Sequence, residues 1–162
     1  MDDAEAFHDL HAAIGRFAVT WASLEMGLDL LILLMRRHEH AAQRESKEPH
    51  NLSNKIRRAK KQIKEINTVN AFRTEVLSLL GEMERLSHTR HDIVHGAAMD
   101  MQVGETSVSV LMTRLFQPVG PRRPARRFDA AEIEHIADEI WSLGGRMLDV
   151  LEAIPRASTP EA

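Results

Sequence analysis

Cysteine and tyrosine are both absent from this chain of 162 residues. Without thiols there is no disulfide framework, no thiolate nucleophile and no thiolate metal ligand, and the redox compartment is left undetermined. Aromatic residues amount to only 4%, so stacking against nucleic-acid bases is poorly provided for. Charge of one sign is also lacking. With 28% charged residues and a net charge of -3, the chain is neither a polybasic nucleic-acid coat nor an acidic disordered tail. Any affinity for nucleic acid must come from local patches. The longest apolar run, "LDLLILLM" from Leu28 to Met35, is far short of the roughly 20 residues that span a bilayer. The opening "MDDAEAF" lacks the basic and apolar regions of a secretory signal. These features lead to the expectation of a cytoplasmic protein with no membrane partner.

What is present is a hydrophobic content of 43%, enough for a core of ordinary size in about one domain's length. Residues 1–154 are expected to form a single domain and 155–162 a flexible tail. From Asp3 to about Arg37 the apolar residues recur at three- and four-residue steps, the period of an amphipathic helix. Pro49 interrupts a polar segment after it. A second helix is expected over about Leu52–Asn67, with Leu52, Ile56, Ile63 and Ile66 inward and a basic face outward. A third is expected from about Asn70 to Gly96, which is a fitting stop. Beyond it Val108, Val110 and Met112 alternate with Ser109, Leu111 and Thr113, the period of a strand, and Gly104 with Glu105 can turn a short hairpin. "QPVGPRRPARR", Gln117 to Arg127, reads as a basic loop. Asp129 with Glu132 three residues later resembles an acidic capping box opening a last helix, whose stripe runs through Ile133, Ile136, Ile140, Leu143, Met147, Leu151 and Ile154. Gly144 within it would let another backbone approach closely. The fold class is therefore mainly α: a helical bundle of about four helices with a short β-hairpin before the last.

Two charges fall on apolar faces. Glu25 lies in phase with Phe7, Ile14, Ala18 and Ile32, and Arg90 follows Leu86 by four residues. A buried lone charge is costly. Either the two pair across the first and third helices, or one or both snorkel past the stripe into solvent.

"SHTRHDIVHGAAM", Ser87 to Met99, concentrates His88, His91 and His95 on the side of the third helix opposite its apolar stripe. Three readings are open. Imidazoles at this spacing can ligate zinc, although no cysteine or metalloprotease pattern accompanies them. They can form a solvated polar face. They can also act on a phosphate beside Arg90, since histidine exchanges protons near neutral pH and arginine presents a permanently charged fork to phosphate oxygens. RNA brings its own nucleophile, the 2′-hydroxyl, so the protein need only move protons and stabilise charge at phosphorus.

"RHDIVHG", Arg90 to Gly96, resembles the signature of the HEPN superfamily: an arginine and a histidine four to six residues apart, a polar residue directly after the arginine, and a following glycine. The long first helix with "WASLE", the motif at the end of a later helix, the hairpin and the last helix after a loop extend the resemblance to small bacterial HEPN proteins over about residues 5–154. The resemblance implies a metal-independent endoribonuclease without cofactor, a homodimer in which two motif copies meet, and products with a cyclic phosphate. It would make His95 the proton-transferring group, Arg90 the holder of the scissile phosphate and His91 a polar helper. If Glu25 pairs with Arg90 as helical phase suggests, it supports the site by holding that arginine. Members often serve in toxin–antitoxin or phage-defence systems, which implies RNA and an antitoxin protein as partners; others are inactive scaffolds. A non-catalytic helical dimerisation or interaction module using the same histidines is thus the competing function.

Helical phase raises an objection. Arg90 and His95 point about 140° apart on a straight helix. Either the helix unwinds near Gly96 and swings His95 round, or Arg90 is architectural while His91 and His95 face a partner chain. Basic segments could supply phosphate-backbone contacts without sequence specificity. They are Lys55, Arg57, Arg58, Lys60, Lys61 and Lys64 on the second helix and Arg122, Arg123, Arg126 and Arg127 in the late loop. Each segment alone also reads as a solvated surface.

Overall fold

The computed structural model describes residues 3–38, 49–104, 107–113 and 124–154. The fold is mainly α, as expected: helices α1 (Asp3–Arg36), α2 (Leu52–Glu65), α3 (Arg73–His95) and α4 (Ala130–Ala153), with a small antiparallel sheet between α3 and α4. The sheet has one strand more than the expected hairpin. Its order is β1 (Ala97–Val103), β2 (Val108–Thr113), β3 (Arg126–Asp129). Arg126 and Arg127 therefore lie in a strand, where a basic loop was expected; the expected tail, and Arg122 and Arg123, lie outside the described residues.

The chain divides into two compact units, Met1–Ala22 with Arg85–Trp141, and Ser23–Glu84 with Ser142–Ala162. In the first, the buried residues include Leu10, Phe17, Leu86, Val110, Phe128 and Ile133. Phe17 and Trp21 stack one helical turn apart, with ring centroids 6.5 Å apart. Arg16 is held by Glu134 and Asp138 of α4. The β2 alternation is as the period required: Val108, Val110 and Met112 are buried, and Ser109, Leu111 and Thr113 are half-buried. β1 pairs with β2 from Ala97↔Thr113 to Val103↔Val108, with a bulge between Ala98 and Asp100. β3 ends where α4 starts. The Asp129 carboxylate accepts from the backbone N–H of Glu132 at 2.8 Å, so the capping signal works as read.

In the second unit, Asn51 caps α2 by accepting from the Asn54 N–H at 2.9 Å. Ile66 is extended and a 3₁₀ segment, Asn67–Phe72, follows, so α2 stops and α3 begins a few residues from where periodicity placed them. Arg73 then donates to the carbonyls of Ile63 at 3.2 Å and Lys64 at 2.9 Å, satisfying the last turn of α2. Arg146 of α4 reaches Glu75 and Glu82 of α3 at 2.9 Å. Its hydrogen bonds to Glu82 and then to Glu75 raise its pKa against the opposing effect of desolvation. Gly144 does not admit a neighbouring backbone, because a Cβ there would meet nothing within 4 Å. The close approach is at Gly27, where the Met147 side chain would lie 3.0 Å from an added Cβ. Val150, not Leu151, completes the buried stripe of α4.

The phase of α1 also differs from expectation. Its buried line runs through Leu10, Phe17, Trp21, Leu24, Leu28, Leu31 and Met35, while Ala18 is exposed and Ile14 half-buried. Apolar residues extend around much of this helix, so its mean apolar direction is poorly defined by sequence. Phe7–Arg36 has the length and apolar content to cross a membrane: an 18-residue window within it has a mean hydropathy of 1.7, and 44% of that window is buried in protein.

Candidate functional site

The Arg90–His95 segment closes α3 and leads through a single residue, Gly96, into β1. The Gly96 N–H donates to the Asp92 carbonyl at 2.9 Å, so helical bonding persists to this point. A Cβ at Gly96 would fall 2.1 Å from that carbonyl oxygen and 3.2 Å from Met112 of β2. Only glycine fits between the end of the helix and the sheet. His95 is therefore held on an intact final turn, directly before the chain changes direction.

Arg90 sits on the inward line of α3, between Leu86 and Ile93, both buried. The side chain is half-buried, and its Nε is buried with no hydrogen-bond partner among the described residues. The guanidinium does not stay inward. Its NH1 lies 2.9 Å from Nε2 of His95. The arginine side chain, long and flexible, covers the roughly 140° that separates the two residues on the helix. The helix does not unwind before His95, and Arg90 meets His95 directly. A guanidinium has only donors, so the bond requires Nε2 to accept, which makes His95 the neutral imidazole with its proton on Nδ1. His91 stands edge-on to the same ring, with centroids 5.0 Å apart. Arg90, His91 and His95 thus form one contiguous group, with both histidines exposed. His88 is exposed as well. Val94, next to buried Ile93, is 42% exposed.

Glu25 and Arg90 each have a partner within their own unit. Glu25 lies beside Lys55 at 3.6 Å, half-buried at the edge of the stripe and not at its middle. Lys55 also binds Asp29 at 2.8 Å. Burial opposes the lysine's charge, but the Asp29 hydrogen bond and the attraction of both carboxylates outweigh it and raise its pKa.

The basic segments divide. Arg58, expected outward, is buried. Lys60 pairs with Glu84 at 2.6 Å. Arg57, Lys61 and Lys64 are exposed and line an open groove of about 620 Å³. On β3, Arg127 pairs with Asp100 at 2.7 Å. Arg126 packs over the ring of Phe128 at 4.8 Å, pairs with Glu132 at 3.2 Å and donates to Thr89 at 3.2 Å. Thr89 precedes Arg90 in the chain, so Arg126 is anchored one residue from the motif. Sequence reading missed this contact, because it depends on β3, whose four residues show no alternation long enough to read. Among the described residues there is no group of three or more histidine and acidic side chains that could hold a metal ion.

The chain matches no family model, no curated protein and no solved structure.

Proposed function

We propose that the protein is a metal-independent endoribonuclease of HEPN type, with Arg90, His91 and His95 as its catalytic group. The observation that carries this reading is the 2.9 Å hydrogen bond between Arg90 and His95: the charged fork and the proton acceptor are already side by side. RNA phosphate entering the site would draw the guanidinium to its oxygens and free the Nε2 lone pair for the 2′-hydroxyl proton. The 2′-oxygen forms its bond to phosphorus, the bond to the 5′-oxygen breaks, and the leaving oxygen takes a proton from a second imidazole, that of His91 or of a partner chain's copy. The product is a cyclic phosphate. A homodimer would bring two such groups together, and Arg57, Lys61 and Lys64 would hold the RNA backbone. A cytoplasmic toxin or phage-defence role, with an antitoxin protein as partner, fits this chemistry.

A second reading, a non-catalytic dimerisation or interaction module, is favoured by one detail: Arg90 occupies the lone pair that a general base must offer. RNA cleavage in excess chelator separates the two. Cleavage to cyclic-phosphate ends by wild type and its loss in His95→Ala support the ribonuclease. No cleavage of any of a set of structured and unstructured RNAs supports the module.

A further inference from the structure

His91 and His95 stand one turn apart at the end of α3, and both are exposed. The turn that joins them is intact, because the Gly96 N–H still donates to the Asp92 carbonyl. It sets the two residues about 6 Å apart along the axis and about 40° apart around it. Neutral imidazoles so placed can close a chelate on one metal ion.

The separation of the rings fits that chelate. A transition ion sits about 2.0–2.1 Å from an imidazole nitrogen, itself about 1.1 Å from the ring centre, so each centroid stands about 3.2 Å from the metal. With about 90–109° between the two ligands, the range from tetragonal to tetrahedral sites, the centroids lie about 4.5–5.2 Å apart. In this protein they are 5.0 Å apart. The rings meet edge to face at 61°, so aiming both nitrogens at one point takes only rotation about their terminal torsions, which are soft for histidine. His88 does not join them, being about 10 Å along the axis from His95.

Arg90 stands in the way. Its Nη1 lies 2.9 Å from Nε2 of His95, the lone pair that the ion needs. A donor-only guanidinium and a dication cannot share one lone pair, and their like charges repel. Ion and Arg90 therefore exclude each other.

We propose that His91 and His95 form a two-imidazole site for a divalent transition ion, zinc(II) or copper(II), whose binding expels Arg90 from His95. Water completes the coordination. Imidazole suits both ions, copper(II) binding the tighter, and a chain without cysteine has no thiolate to draw either elsewhere. All three residues lie on one helix within one compact unit. The site stands on this geometry and not on the ribonuclease reading. Under that reading the ion is an inhibitor, since it occupies the nitrogen that accepts the 2′-hydroxyl proton.

Calorimetric titration of the full chain with zinc chloride and with copper(II) chloride, in a non-coordinating buffer, tests it without any RNA. His91→Ala and His95→Ala are each expected to weaken binding at least about tenfold, because a chelate becomes a single ligand. His88→Ala should leave the affinity unchanged. Arg90→Ala is expected to bind about tenfold more tightly than wild type, since no charge-assisted hydrogen bond has to be broken first. Nitrogen NMR of wild type reads the site without a substitution: zinc should shift the rings of His91 and His95 together, along one titration curve. No binding up to millimolar ion, affinity unchanged in His91→Ala or His95→Ala, weaker binding in Arg90→Ala, or a zinc shift confined to one of the two rings would each overturn the proposal.

Discussion

Arg90 and His95, five residues apart and turned away from each other on α3, share a hydrogen bond of 2.9 Å. Its direction follows from chemistry alone, because a guanidinium cannot accept. Nitrogen NMR of the His95 ring at neutral pH should show Nδ1 protonated and Nε2 bare. In Arg90→Ala the ring should move toward the Nε2–H form that free histidine favours. Observing Nε2–H in wild type would mean that the two groups do not meet in solution.

If the group is catalytic, removing either member should show in rate before it shows in stability. His95→Ala is expected to slow RNA cleavage by about 10²–10⁴-fold, the usual contribution of a positioned acid or base. Arg90→Lys should restore little of what Arg90→Ala loses, since a single ammonium cannot contact both the phosphate and the imidazole as a fork does. Thermal unfolding run beside the kinetics checks that exposed His95 has changed function and not the fold.

Gly96→Ala is expected to destabilise the protein by about 2–3 kcal/mol, the range for forcing a methyl into occupied space. The overlap is with the backbone carbonyl of Asp92, which cannot swing aside as a side-chain tip could. Urea unfolding measures it, and an unchanged midpoint would show that the helix end is looser than described. By contrast Asp129→Ala, which removes the cap of α4, should cost only about 1 kcal/mol.

The cations of α2 should sort by burial. Arg58→Ala is expected to lower stability, because the side chain is buried, with little direct effect on nucleic acid. Arg57→Ala, Lys61→Ala and Lys64→Ala should leave the melting temperature within a degree or two. If RNA binds along this helix, each should reduce the slope of log affinity against log salt by about 0.7–0.9 per lost phosphate contact. Equal salt slopes in all four proteins would place the RNA elsewhere.

Much of the fold could be read because its signals were local. Asp129 and Glu132 announced the start of α4, Gly96 the end of α3, and the alternation around Val110 a strand, each within a few residues of chain. Signals that depend on distant partners were not readable. β3 is only four residues long and exists because β2 offers it an edge. Glu25 could not be placed from sequence, because α1 carries apolar residues on two faces and periodicity alone could not say which one is buried. For the site, residue identity was legible and geometry was not. An α-helix fixes where a Cβ points, but the reach of arginine beyond it is enough to cancel a 140° separation.

The single-residue passage from α3 to β1 has a consequence for how the chain can be altered. An inserted residue there would turn everything beyond it by about 100° relative to the helix. If the strand took up the slip instead, each side chain of β1 would move to the opposite face of the sheet. Neither change can be absorbed at a position where even an added Cβ would strike the Asp92 carbonyl behind it and crowd Met112 in front. The distance in sequence from Arg90 to Ala97 is therefore a fixed dimension of the molecule, and a tag, label or epitope belongs anywhere else.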